Sequence, residues 1–174
     1  MPQEKKAVPE GKPVGASRSE SVHLVLPSDA NALGTIFGGR IMAWVDLIAS
    51  ISAFRHTRQI CVTASMDELH FISPVKVGEI VILKASVNYT HKTSLEIGVR
   101  VESEDPLTGD RKHTASAYLT FVAIDADKRP IPVPPVIPET ADEKRRHREA
   151  EQRRNNRLAH RAKLRAERTT GRPA

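Results

Sequence analysis

The sequence predicts an α+β domain in which an antiparallel sheet wraps one long helix, and three observations lead there. The second half of the stretch Pro27 to Phe54 repeats its apolar residues at helical spacing. Three later stretches alternate apolar and polar residues with the period of a strand that has one wet face. The connections between strands are short, and one helix can be wrapped by one face of such a sheet but cannot cover both.

Taken in order, residues 1–19 are rich in Pro, Gly, Lys and Glu with little to bury, and they are expected to be disordered. A short strand, Ser21 to Leu26, is stopped by Pro27. A turn-rich loop follows with Asp29, Asn31, Gly34 and the pair Gly38-Gly39. The helix then places Ile41, Met42, Val45, Ile48, Ala49 and Ser52 on its core side. Ile60 to Met66 reads as a strand that extends toward Phe71 and Pro74. In Glu79 to Thr90, Val81, Leu83, Ala85, Val87 and Tyr89 oppose Lys84, Ser86 and Asn88. In Ser94 to Glu102, Leu95, Ile97, Val99 and Val101 oppose Glu96, Gly98, Arg100 and Glu102. A turn at Asp105 to Asp110 leads to a last strand, His113 to Ile124. The proline run after Arg129 ends the domain, because proline cannot donate to a ladder. From Ala141 to about Arg168 the residues are strong helix formers without an apolar stripe, as in a solvated helix. The expected division is a disordered segment 1–19, a folded domain 20–133, and a Pro-rich linker with a basic helical tail at 134–174.

Composition excludes several functions. The 174 residues are enough for one domain with tails. The apolar run between Arg40 and Arg55 is too short to span a membrane, which takes about 20 residues. The N-terminus lacks the apolar segment of a signal peptide, and the single cysteine, Cys61, permits neither an internal disulfide nor a cysteine-based zinc site. A soluble, cytoplasmic protein is expected. The formal charge is +6. From Glu139 onward there are 12 Lys+Arg against 6 Asp+Glu, so the first 138 residues, with 15 of each sign, are neutral. Any preference for acidic partners therefore belongs to the tail or to local patches. No G-x-S-x-G elbow, phosphate-binding glycine loop or dinucleotide fingerprint occurs, and the seven histidines show no metal-ligand spacing, so no metal is expected.

Chemistry is expected around Asp46, the one charged side chain between Arg40 and Arg55. Winding the helix puts it on a face with Gly39, Ala43, Ala49, Ser50 and Ala53, small residues that permit close approach. A carboxylate there can act as base or nucleophile. The glycines at the helix start leave N–H groups uncovered at its positive end.

The run Asn31-Ala32-Leu33-Gly34-Thr35-Ile36-Phe37-Gly38-Gly39, then Ile41-Met42 and Asp46, resembles the signature of the hotdog-fold acyl-CoA thioesterases. The similarity is to the single-domain bacterial type, related to the two-domain cytosolic acyl-CoA hydrolases of animals. Phe71-x-x-Pro74-Val75-x-x-Gly78-Glu79, Thr93-Ser94 and Phe121-Val122-Ala123 also look like that family, and the likeness spans about residues 20 to 130. It implies five or six antiparallel strands curled around the helix, two such units paired side by side, and frequent assembly into hexamers. It also implies thioester hydrolysis without a cofactor, coenzyme A being part of the substrate. Asn31 of one unit would act with Asp46 of the other. Gly39 is the expected oxyanion donor and Gly38 lets the chain come close. Lys92, followed by Thr93 and Ser94, matches a basic residue with two hydroxyls that would meet the coenzyme A phosphates, and Arg58 and His91 are further candidates. A hotdog sensor that binds acyl-CoA without hydrolysis, its basic tail touching nucleic acid, is the alternative. A dehydratase would need a histidine that the helix lacks.

Overall fold

The computed structural model describes residues 9–170. The first eight residues of the segment expected to be disordered lie outside them. The elements are β1 (Lys12–Pro13), β2 (Ser19–Leu24), α1 (Gly38–Thr57), β3 (Ile60–Phe71), β4 (Ile80–His91), β5 (Ser94–Glu104), β6 (Arg111–Ile124), β7 (Val136–Ile137) and α2 (Ala141–Thr170). Five strands form one sheet in the order β2-β4-β5-β6-β3, antiparallel throughout. This is the predicted hotdog arrangement, with α1 against the concave face.

Ile41, Val45, Ile48, Ala49 and Ala53 of α1 join one core with Leu83, Val87, Ile97, Val99, Leu119 and Phe121 of the sheet. Each large side chain fully buried there contributes about 1.5–3 kcal/mol. Met42, expected in that stripe, is instead exposed, because it lies at the edge of the buried arc beside Ile41. The helix stops at Arg58, whose left-handed backbone (φ 56°) turns the chain toward β3 while its N–H reaches the Phe54 carbonyl at 2.8 Å.

The segment before β2 is ordered where composition suggested otherwise, and Ser17 is the reason. Just ahead of the first residue of β2, the Ser17 hydroxyl takes over as acceptor for the Val87 N–H at 3.0 Å, and it donates to the Val14 carbonyl at 2.7 Å. The Ser17 carbonyl accepts from Ser52 of α1 at 2.8 Å. Val14 is buried in the core as a result. The proline run is likewise packed rather than a bare linker. Its few N–H groups find acceptors: Ile131 on Ala123, Val133 on Lys92 at 2.9 Å, Val136 on the Thr90 hydroxyl at 2.9 Å. Prolines contribute no N–H to satisfy, so the run can be buried at low polar cost. β7 then pairs parallel with β1, Lys12 opposite Val136.

Two outward expectations change. A bulge between Val87 and Tyr89 turns Tyr89 off the core face, and its ring lies edge-on to His147 of α2 at 4.9 Å. The convex face of the sheet is covered in part, because α2 docks there. Thr140 and Glu143 form a capping box, with Glu143 N on the Thr140 hydroxyl at 3.2 Å and Thr140 N on the Glu143 carboxylate at 3.1 Å. Those backbone bonds, then the Arg18 guanidinium, hold the Glu143 carboxyl below its usual value. The docking face consists of Glu143, His147, Ala150, Arg153 and Arg157, a helical stripe made mostly of polar residues. A hydrophobicity pattern does not reveal it.

His56 is fully buried at the end of α1, bonded through Nε2 to the Pro134 carbonyl at 2.9 Å, with Nδ1 unpartnered among the described residues. Burial pushes its pKa below 6.5, against a raising contribution from the Pro134 carbonyl. The unfolded chain therefore takes up a proton below pH 6.5 that the folded chain refuses. Stability from this group is full above that pH and is lost as pH falls through it. His23 and His91 are also lowered, burial being the largest cause for each, and they act in the same direction. The denaturation midpoint is expected to drop between about pH 7 and pH 5, with a shallower drop in His56→Gln. A flat wild-type midpoint over that range contradicts this account.

Candidate active site

The loop ahead of α1 is pinned from beneath by Asp29. Its carboxylate accepts the Leu26 N–H at 3.1 Å and the Arg40 Nε at 2.7 Å, and its carbonyl accepts the Phe37 N–H at 2.8 Å. The Leu26 N–H, more than Arg40, holds the Asp29 carboxyl below its usual value. Asn31 sits above it and is exposed. Its Oδ1 receives the Leu33 N–H at 2.9 Å and the Thr35 N–H at 3.3 Å, which closes the turn around Gly34. Gly34 has φ 73°, a conformation that disfavours any side chain.

α1 begins at Gly38 with no side-chain cap. Its first N–H groups, at Gly38 and Gly39, have no intrahelical acceptor and stand at the positive end of the helix. A cleft of about 300 Å³ opens beside Gly38, between Ile36, Ile41, Phe71 and Val75. A Cβ on Gly39 would lie 2.6 Å from the Phe37 ring.

Asp46 is half-buried two turns into α1, and its Oδ1 receives the Thr63 hydroxyl of β3 at 2.8 Å. Thr63 is the residue that sequence reasoning missed. It lies in a strand with ordinary alternation, and nothing local marks it. Only the packing of α1 on β3 brings it to the carboxylate. Beside Asp46 on α1, Leu47 is 58% exposed and Met42 is exposed as well, whereas Ile60 and Val62 of β3 alternate with Thr63 and lie on the opposite face of the sheet. β3 is also an edge strand of the sheet.

The other predicted residues fall at the far end of α1. Arg58 is its C-cap, exposed. His91, Lys92, Thr93 and Ser94 form the tight β4–β5 turn, with Lys92 at φ 45° and the Ser94 hydroxyl on the His91 carbonyl at 3.2 Å. A cleft of about 480 Å³ is lined by His91, Lys92, Thr93 and Val133. Burial, then the nearby Arg154 and Lys92 charges, lowers the His91 pKa.

Within one chain these groups do not converge. No hydrogen bond joins Asn31 to Asp46. Gly39 and Asp46 are about 10 Å apart along the helix axis, too far for one carbonyl to touch both. Among the described residues, no group of three or more His, Cys, Asp and Glu side chains is placed to hold a metal ion. No described helix is long and apolar enough to cross a membrane.

Known proteins share this fold. The profile of the thioesterase superfamily matches residues 33–109. An uncharacterized acyl-CoA thioester hydrolase of Bacillus subtilis, YkhA, is 45% identical over 133 residues, covering 76% of this chain and 77% of that one. The crystal structure of an apo-hexameric acyl-CoA thioesterase superimposes with a TM-score of 0.85 at 44% identity, covering 88% of this chain and 98% of the other. The acyl-CoA hydrolase of Staphylococcus aureus, solved with butyryl coenzyme A, coenzyme A and coenzyme A disulfide, gives 0.84 at 36% identity, over 91% of this chain and 97% of that one. On these grounds the chain belongs to the thioesterase superfamily, among its acyl-CoA thioester hydrolases.

Proposed function

We propose that the protein hydrolyses acyl-CoA to a free carboxylic acid and coenzyme A, with Asp46 as the reacting carboxylate. The observation that carries this is the hydrogen bond from Thr63 to Asp46, which holds the one acid of α1 against the edge strand β3. The site is completed by a second copy of the chain, which brings its Asn31 and the start of its α1 opposite Asp46. The separation of Gly39 from Asp46 within one chain supports this, as does the position of Thr63 on the edge strand β3. A hexameric relative is consistent with such pairing extended further.

In this reading Asp46 takes a proton from water, and the water oxygen adds to the thioester carbonyl carbon. The oxyanion is met by the Gly39 N–H at the positive end of the partner helix, with Gly38 leaving that approach open. Collapse breaks the C–S bond, and the departing thiolate recovers the proton from Asp46. Direct attack by Asp46, giving an acyl anhydride that water opens, needs the same carboxylate. Asn31 orients the water or the carbonyl. No step calls for a cofactor. Arg58, His91 and Lys92, with the hydroxyls of Thr93 and Ser94, are assigned to the coenzyme A phosphates.

Two measurements test the assignment. Thr63→Ala removes one bond to a charged group, and a loss of about tenfold in kcat is expected, read as thiol release from acyl-CoA. Lys92→Ala is expected to raise KM for acyl-CoA several-fold with kcat unchanged. It should leave turnover of the corresponding acyl-pantetheine, which has no nucleotide phosphates, unaffected. Absence of thiol release across short, medium and long acyl-CoAs would refute the function itself.

A further inference from the structure

α2 is longer than the sheet it crosses is wide, and its contacts follow the strands in spatial order. Glu143 pairs at 2.7 Å with Arg18, which lies just ahead of β2, and Tyr89 of β4 meets His147. Arg153 pairs with Glu96 of β5 at 2.7 Å and lies over Tyr118 of β6. Arg157 pairs with Asp67 of β3, the edge strand. From Glu143 to Arg157 the helix is about 21 Å long, and five strands about 4.8 Å apart are about 19 Å across. The two lengths agree, so α2 runs nearly at right angles to the strands and reaches the β3 edge at Arg157. The remainder of the helix, 158–170, continues for about 20 Å past that edge.

Residues 158–165 are exposed, with Leu158 at 44% and Leu164 at 41%. A helix end gains most of its stability from packing, and one chain offers this end no surface to pack on. The convex side of β3 is bare in the same way. Ile60 and Val62 are exposed there, on a strand whose outer edge has no neighbour within the chain.

We infer that the end of α2 passes over the edge of its own sheet and packs on the convex face of a second copy of this chain, joined to the first at β3. This rests on the reading that two chains pair to complete the hydrolytic site. Leu158 and Leu164 stand about 1.5 and 10 Å past Arg157 along the helix axis, which places them over the partner's β3 and β6. Antiparallel pairing of β3 with its copy over the whole strand sets Asp67 close to the partner's Ala64, and the partner's Val62 and Ile60 follow along that strand. Exposed apolar side chains of the helix end thus meet exposed apolar side chains of the strand. Two-fold symmetry makes the exchange mutual, each chain lending a helix end and receiving one. The competing occupant is nucleic acid, drawn by Arg161, Lys163 and Arg165. Its phosphates would meet those charges but give Leu158 and Leu164 nothing to bury against.

Photo-cross-linking tests this in the full chain, with p-benzoylphenylalanine placed at Leu158 or, separately, at Leu164. Both positions are exposed, so neither replacement disturbs the fold. Irradiation is expected to give a product of doubled mass on a denaturing gel, its yield unchanged by tenfold dilution. Peptide mass spectrometry should locate the new bond on β3, β6 or α2 of the other chain. The same positions in an Asp46→Asn background should cross-link equally, so this result is read apart from the loss of thiol release. Sedimentation of the same samples separates two failures. An oligomer without the doubled-mass product overturns the helix exchange and leaves the pairing of chains intact, whereas a monomer overturns both. A cross-link to co-purified nucleic acid, or one that maps to α1 of the other chain, also overturns the inference.

Discussion

Asp46→Asn is expected to reduce turnover of acyl-CoA by about a thousandfold, the range for losing a positioned base, with KM close to that of the wild type. The substitution keeps the size of the side chain and leaves an oxygen to accept the Thr63 hydroxyl, which lies 2.8 Å from the native carboxylate. The local geometry should therefore survive. What disappears is the capacity to take a proton or attack a carbonyl. Because Asp46 is only half-buried and forms no ion pair among the described residues, the melting temperature should change little. Single-turnover thiol release, with coenzyme A binding measured on the same preparation, separates the two possibilities. A variant that turns over at the wild-type rate would remove Asp46 from the mechanism and leave the hydrolase without its assigned carboxylate.

The second large effect concerns stability. Arg153→Ala is expected to destabilise the protein by about 3 kcal/mol, the cost of stranding a buried carboxylate, or roughly 6–12 °C in Tm for a chain of this size. Glu96 is 3% exposed, and its carboxylate is held by Arg153 Nη2 at 2.7 Å and Nε at 3.3 Å, with Asn88 Nδ2 at 3.3 Å. The guanidinium also lies over the Tyr118 ring, 3.6 Å from its centre. Alanine removes the countercharge and leaves Glu96 between β4 and α2. The double variant Glu96→Gln, Arg153→Ala should recover part of the loss, since a neutral amide replaces the stranded charge. That recovery is the sign of coupling between the two side chains. A shift below about 2 °C in the single variant would mean that α2 is held elsewhere.

These two results fall on opposite sides of what the sequence makes legible. The α1 stripe of Ile41, Val45, Ile48 and Ala49 was readable because burial on a helix repeats with the helix period. The alternation of β4, β5 and β6 was readable for the same kind of reason. Tyr89 was misplaced because one bulge shifts the register, and no residue type announces it. Val14 and Ser17 looked like parts of a polar tail, yet a single hydroxyl supplying a missing ladder acceptor orders the whole segment. The Asn31 turn, the glycine start of α1 and the isolated Asp46 are local features and were legible. Thr63 was not, since its partner is fixed by packing. The docking of α2 was the least legible: Glu96 and Arg153 read as solvated charges on separate elements until the fold brings them together.

The small parallel pair β1–β7 has a consequence for the order of assembly. It joins Lys12–Pro13 to Val136–Ile137, with almost the whole ordered sheet lying between them in the chain. Closing so long a loop is entropically expensive until the intervening hairpins exist. The pair should therefore form late in refolding, after β4, β5 and β6 have zipped through their short turns. In native-state hydrogen exchange, the Lys12 amide, bonded to the Pro135 carbonyl at 2.8 Å, should then open well before the amides of β5. α2 begins a few residues beyond β7, so this latch sets the moment at which the second helix can settle onto the sheet. A protein that has just emerged from refolding would have its core in place before its second helix.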